Sequence, residues 1–378
     1  MNKHAKRIIS IITLFAVTAL FIWFMQITVT NRDDNDLRSI KSFYMEDRDS
    51  LDVVILGSSE VMSGYSAAEA YKEAGYTSFP YAFTINSVPL WKYELKDIER
   101  TQHPQILFVE TNGALYEDDD YVYAKNCINA LGESMPMSLN RVRCAFDLSE
   151  HPLERLIPFI KYHYKWKDIL KLRENSNLML MKEGYARLRG VNSFLYKKKY
   201  STAMDFPPDD TTADLNPKAE AEFAEFLEVC KDSDIEKIVF VEFPHVMGSK
   251  DLYERQQRAN HAAEMIREAG FDYIDLTNEG EAIGLDFEND FYDEHHLLAT
   301  GEKKVSHYIA DIVMNRYGIQ PKEQTGENKA GWEDSAELIS RFYDEYDRYT
   351  AEHADDPYAK AEYLLAENVE TMKRIGQK

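Results

Sequence analysis

At 378 residues the chain can bury one large α/β core or a domain with appendages. It is strongly acidic, with 66 Asp and Glu against 44 Lys and Arg and a formal net charge of -22, which argues against nucleic acid as a partner, because neutralising phosphates takes Lys and Arg clustered on one face. No Gly-rich phosphate loop of the GxxxxGK[ST] kind is present, and Cys127, Cys144 and Cys230 form neither a CxxC pair nor a metal-ligand spacing.

Residues 2–7 carry Lys3, Lys6 and Arg7, and 8–29 is an uncharged, dominantly apolar run. About 20 helical residues cross the hydrocarbon layer, so this run can span a membrane. The basic residues before it and Asp33 and Asp34 after it predict a cytoplasmic amino terminus, with everything beyond the span outside. Its end, Met25-Gln26-Ile27-Thr28-Val29, lacks the small residues of a cleavage site, so the segment reads as an uncleaved anchor (1–30) followed by a polar connector (31–50).

The β-branched run 52–56 is too short for a helix and reads as a buried parallel strand. Gly57 permits a tight turn, and 65–74 has helical composition. This junction places Ser58 and Ser59 at the carboxyl edge of the sheet, where open α/β folds put their ligands. Both serines are expected to be presented there, although a serine at that point also serves as a helix cap. Further strands are predicted at 77–83 and 105–110, with a helix at 88–100 between them, stopped by His103-Pro104. Residues 117–210 form a helical, Tyr- and Lys-rich insertion, either packed over the sheet or acting as a lid or partner-docking surface. Cys127 and Cys144 within it either pair or remain two separate thiols. Helix, strand, helix, strand then follow at 218–231, 237–243, 252–269 and 271–275, the alternation of a parallel sheet covered on both faces. A loop over 287–298 leads into a closing helix at 299–317. The acidic tail, 321–378, is expected to be helical, as a hairpin packed on the domain or against a partner.

Possible chemistry lies at three strand or loop ends: Ser58-Ser59, Asn112, and the run Asp293-Glu294-His295-His296. A serine hydroxyl needs a base to take its proton, and the base needs a carboxylate to hold its tautomer. Asp293 and His296 are three apart, which suits one face of a turn; a surface ion pair would have the same spacing. An amide donor such as Asn112 would hold the developing oxyanion. Asp293, His295 and His296 as metal ligands is the weaker reading, because adjacent side chains rarely converge on one ion and no second cluster completes a sphere. No metal or other cofactor is therefore expected.

A strand ending in Gly57-Ser58-Ser59, a later one ending in Glu110-Thr111-Asn112, and Asp293-x-x-His296 before the last helix resemble the SGNH, or GDSL-type, hydrolase superfamily. The likeness spans the whole domain, 51–320. The Gly-Ser-Ser-Glu form is similar to the membrane-anchored branch that includes D-alanyl-lipoteichoic acid and alginate O-acetylation proteins. The resemblance implies a three-layer α/β/α fold with a parallel, flavodoxin-like sheet. It implies Ser59 as nucleophile, His296 as base, Asp293 as its orienting carboxylate, and the Ser59 amide with Asn112 as oxyanion hole. The family's glycine in the second block is absent from Thr84-Ile85-Asn86-Ser87, leaving the backbone of Asn86 or Ser87 as the remaining donor. An extracytoplasmic serine esterase or O-acyltransferase is the implied function, acting on an acylated glycan or teichoic acid with a multi-spanning membrane O-acyltransferase as partner. The alternative is a catalytically inactive envelope protein of the same fold that binds such a partner or polymer.

Overall fold

Five short apolar runs pair as one parallel sheet because each is flanked by a helix that returns the chain to the same edge. The structure is a computed structural model describing residues 3–29, 35–164, 167, 188–189, 206–207, 209–287 and 289–352. The strands are β1 (Val53–Gly57), β2 (Ser78–Ala82), β3 (Ile106–Glu110), β4 (Lys237–Glu242) and β5 (Asp272–Asp275), in the spatial order β2-β1-β3-β4-β5. All neighbouring pairs are parallel, with Leu56 level with Tyr81 on one side and Val109 on the other. β1, β2 and β3 are buried along their whole length, which is why they read as continuous apolar runs and not as alternating ones.

Helix α1 (Lys3–Val29) is long and apolar enough to cross a membrane. Helix α2 (Asn35–Phe43) then packs beside β2, with Phe43 edge-on to Phe79 and Tyr81. The segment after β1 is expected to become helical at 65, but it does so six residues earlier. Helix α3 (Ser59–Gly64) starts at once because Ser58 caps it. Tyr65 then breaks to extended backbone as its buried hydroxyl reaches Ser78 Oγ at 2.7 Å, and Ser66 caps α4 (Ala67–Ala74).

After α5 (Val88–Thr101), the insertion that follows β3 is a string of short helices: α6 (Asp119–Val122), α7 (Lys125–Ser134), α8 (Leu139–Leu148), α9 (Pro152–Leu156) and α10 (Pro158–Tyr162). Most of its second half lies outside the described residues. Cys127, Cys144 and Cys230 are all buried, and none forms a disulfide. The domain resumes with α11 (Pro217–Lys231), α12 (Lys250–Ala269) and α13 (Gly280–Ile283), and ends in α14 (Ala299–Asp311), which widens into a single π turn over Ile312–Arg316. One group of helices joins α5, α11 and α12, and another joins α3, α4 and α14.

The tail to residue 352 is one helix, α15 (Gly326–Glu352); 353–378, where the second limb of the expected hairpin would fall, lie outside the described residues. It packs on α4, with Leu338, Ile339, Phe342, Tyr343 and Tyr346 buried in one cluster with Ala68 and Ala299. Its approach is fixed by Lys322, whose N–H donates to buried Asp52 and whose Nζ donates to the Leu51 carbonyl.

Gly57 is required by space. A Cβ there would lie 2.3 Å from Val61 Cγ2 and 2.8 Å from Glu110 Cβ. Gly57→Ala is expected to destabilise the fold by about 1–3 kcal/mol through overpacking, read as a lowered Tm of the detergent-solubilised protein. An unchanged Tm would mean that β1, α3 and β3 do not meet so closely.

Candidate active site

The carboxyl edge of the sheet gathers three loops. At the end of β1, the Ser58 N–H donates to Glu110 Oε2 at 3.0 Å, and Ser58 Oγ accepts the Glu60 N–H. Ser58 is therefore fully buried, contrary to the expectation that both serines are presented; its hydroxyl is engaged as the helix cap. Ser59, the first residue of α3, is partly exposed, and its backbone N–H belongs to the first turn, where no intrahelical acceptor exists.

The loop before α14 folds back on itself through a bridge between Phe291 and Leu297 and a Tyr292 N–H to His296 carbonyl bond of 2.8 Å. Asp293 Oδ1 accepts the backbone N–H groups of His295 and His296, each at 2.8 Å, so the carboxylate is oriented by its own turn. It faces His296 Nδ1 at 2.9 Å, and His296 Nε2 lies 2.9 Å from Ser59 Oγ. With the carboxylate at Nδ1, that nitrogen carries the proton, and the Nε2 lone pair faces the serine hydroxyl.

Electrostatics separates two neighbouring histidines. Burial alone would push the Asp293 carboxyl up, but hydrogen bonds from the His296 ring and from the His295 and His296 backbone hold it at about 2. Burial pulls His296 down, and the bond and charge of Asp293 more than offset this, raising it above its ordinary value. His295 is lowered to about 4 by burial, with His245 beside it, and His245 to about 3 by burial and the Arg255 charge.

Asn112 is nearly buried in the loop after β3, and its amide is fixed in orientation. Oδ1 accepts from Arg255 Nη2 at 2.8 Å and Nε at 3.2 Å, and Nδ2 donates to Ser58 Oγ at 3.3 Å. One Nδ2 proton is thus turned toward the serine pair and engaged with Ser58, not with Ser59. The Asn86 side chain is committed elsewhere, to the Gly57 carbonyl and Glu94 at 3.1 Å each, so only its backbone N–H is left as a donor. Its loop is strained, since Ile85 has a φ of 54°. A Cβ on Gly113 would lie 2.1 Å from the Asn86 carbonyl oxygen, so Gly113 allows this loop to touch the one after β3.

Beneath these residues lies a buried charge cluster that the sequence reading did not single out. Arg255 Nη1 pairs with Glu242 at 2.6 Å, and Nη2 lies 3.6 Å from Glu60. Glu110 accepts N–H groups from both Ser58 and Asn112 at 3.0 Å, while Thr111 donates to Glu242. The available signal was a glutamate closing each of two buried apolar strands, and an arginine in the Leu252-Arg255-Ala259 stripe that α12 buries.

Of the residues considered as metal ligands, Asp293 turns to His296, whereas His295 Nδ1 faces Glu60 at 3.7 Å. Glu60, His245 and His295 bring ligand-type atoms within 4.8 Å of one another. Arg255 Nη1 lies 3.2 Å from His245 Nδ1, and a guanidinium can only donate, so the imidazole proton sits on Nε2. Nε2 lies 3.0 Å from Glu60 Oε2 without a hydrogen bond between them, and with its proton there that nitrogen has no lone pair to offer a cation.

No family model matches the chain, and comparison with curated proteins and with solved structures gives no significant match.

The site predicts its own titration. In protein carrying 13C-labelled histidine, the His296 ring should titrate above the ordinary value of about 6.5, and Asp293→Asn should bring it down. His295 and His245 should stay neutral until the pH falls toward 4 and 3. A His296 signal unmoved by Asp293→Asn would break the assigned coupling.

Proposed function

We propose that the protein is a membrane-anchored serine esterase or O-acyltransferase of SGNH type, acting outside the membrane on acyl esters of a cell-envelope polysaccharide or teichoic acid. The observation that carries the chemistry is the unbroken chain from Ser59 Oγ through His296 to Asp293, with 2.9 Å at each link. The strand order 2-1-3-4-5, the flavodoxin-like one, supports the placement, since ligands of such sheets sit at the carboxyl edge where β1 and β3 diverge. The substrate class, and a multi-spanning O-acyltransferase as partner, rest on the sequence resemblance and on the apolar helix α1. The basic residues before α1 and the acidic ones after it support a cytoplasmic amino terminus.

In this reading Ser59 Oγ attacks the acyl carbonyl as its proton passes to His296 Nε2, and Asp293 stabilises the imidazolium. The Ser59 N–H and Asn112 Nδ2 receive the oxyanion. Collapse expels the alcohol, which takes the proton from His296 and leaves Ser59 acylated. Water or a sugar hydroxyl then gives its proton to His296 and attacks the acyl carbonyl; as the bond to Ser59 Oγ breaks, His296 returns that proton to Ser59, and the acid or the new ester leaves. None of these steps calls on a cofactor.

The binding-protein reading is favoured by one observation: the Asn112 and Asn86 side-chain amides are engaged with Ser58, Gly57 and Glu94. A fluorophosphonate probe separates the two. Labelling is expected in wild type, lost in Ser59→Ala, and kept in Ser58→Ala, which loses a cap worth about 1 kcal/mol and the bond from Asn112 Nδ2 but not the nucleophile. Absence of labelling in folded wild type, together with no turnover of small acetyl esters, would favour the binder.

With an acetyl ester, Asn112→Ala should lower kcat by about 10²–10³ if that amide holds the oxyanion. The rate should climb with pH as His296 loses its proton. Because its pKa is raised, the midpoint should lie above about 6.5. A flat profile through that range would remove His296 as the base.

A further inference from the structure

Outside α1, the exposed large apolar side chains among the described residues are not scattered. All but Met45 fall within 121–164, in the first half of the insertion. Leu139 and Phe146 lie two turns apart on the outer face of α8, Leu153 is exposed on α9, and Ile160 and Tyr164 on and just after α10; Leu139 reaches 79% exposure. Apolar groups concentrated in this way mark an interaction surface, whereas single ones do not.

The same segment is the part of the domain that meets the anchor. Helix α10 packs on α1, with Tyr162 and Phe159 against Met25. The uncharged run begins at Ile8, and about 20 helical residues cross the hydrocarbon layer, so Met25 lies in the last turns before the outer boundary. α10 therefore touches α1 at the height where lipid gives way to water. The remainder of the chain is too acidic to be drawn to an anionic surface, while α8 places exposed Arg143 between Leu139 and Phe146, a position from which a long cationic side chain reaches headgroups.

We propose that α8, α9 and α10 lie on the outer leaflet of the membrane that α1 spans, with Leu139, Phe146, Leu153 and Ile160 seated at the boundary between headgroups and acyl chains. The proposal rests on the anchor reading of α1 and is independent of the chemistry at Ser59. Amphipathic helices bind in this manner, in the plane of the interface. The occupant is lipid, because the patch is continuous with a helix that is itself lipid-facing by composition. The insertion leaves the sheet directly after β3, and Cys127 Sγ on α7 donates to the Thr84 carbonyl beyond β2. Docking it would hold the edge that carries Ser59 toward the bilayer.

The test uses the full chain in nanodiscs of phosphatidylcholine and phosphatidylglycerol, with spin labels at Phe146→Cys and Leu153→Cys. Glu228→Cys, exposed near the opposite edge of the sheet, serves as the wet control, and Val17→Cys in α1 as the lipid control; wild type, with its three buried cysteines, sets the blank. Labels at 146 and 153 are expected to collide more with oxygen than with a water-soluble nickel chelate, the reverse of 228. A ratio like that of 228 overturns the proposal. So does a label shielded from both reagents, since protein and not lipid would then cover the patch. If the label at 17 is also wet, the anchor reading itself has failed, an outcome separable from failure of the insertion alone.

Discussion

One carboxylate joins the two loops on which the site is built. Glu110 ends β3 with its side chain turned back into the protein, where its two oxygens accept the N–H of Ser58 from the β1 loop and of Asn112 from its own. Burial, with Glu60 and Glu242 nearby, pushes its pKa well above the ordinary range, and Arg255 opposes this. Hydrogen bonds to a charged acceptor are worth about 1.5–3 kcal/mol each, but only while the charge is compensated. Removing one partner of a buried pair typically costs about 3–5 kcal/mol. Arg255 pairs directly with Glu242 and, without touching Glu110, opposes the rise in its pKa, so one cation serves two buried carboxylates.

The same arginine settles which way Asn112 points. A guanidinium offers donors only, so the amide oxygen must face it and the NH2 must face Ser58. An asparagine in a solvated loop would have no such constraint. The loops then approach so closely that Gly57 and Gly113 admit no side chain, and the β2 loop meets the β3 loop with Ile85 in the left-handed region. Strain of this kind costs on the order of 1–3 kcal/mol and persists where the surroundings over-determine it. Here the surroundings are the Asn86 bonds to Gly57 and Glu94.

β1, β2 and β3 were legible in sequence because they are buried along their whole length and so appear as short, largely apolar runs; each predicted strand lies within two residues of the observed one. The Asp293-to-His296 spacing was legible because a three-residue offset in a turn is local geometry. The split between Ser58 and Ser59 was not, since capping and presentation favour the same residue type and only the Glu110 contact decides between them. The Glu60, Glu110, Glu242 and Arg255 cluster was hidden for a different reason. Its members are up to 195 positions apart, each resembles a surface charge taken singly, and only the fold gives them one shared, water-poor space. The break at Tyr65 likewise depends on a hydroxyl finding Ser78 across the fold.

Two adjacent histidines show how finely that space is divided. His295 and His296 share a turn, yet their proton affinities move in opposite directions. The difference lies in what each ring meets. His296 has a carboxylate at Nδ1, and the bond and charge of Asp293 outweigh the cost of burial. His295 is the more exposed of the two rings, but it lacks such a carboxylate partner: burial lowers it first, His245 and Arg255 disfavour a further positive charge, and Glu60, already shared with Arg255, only partly offsets them. Groups whose environments drive their affinities apart can hold different proton states at one pH. Near neutrality His296 is therefore the ring of the two able to gain a proton and lose it again, and it is also the one whose Nε2 lies against a serine hydroxyl.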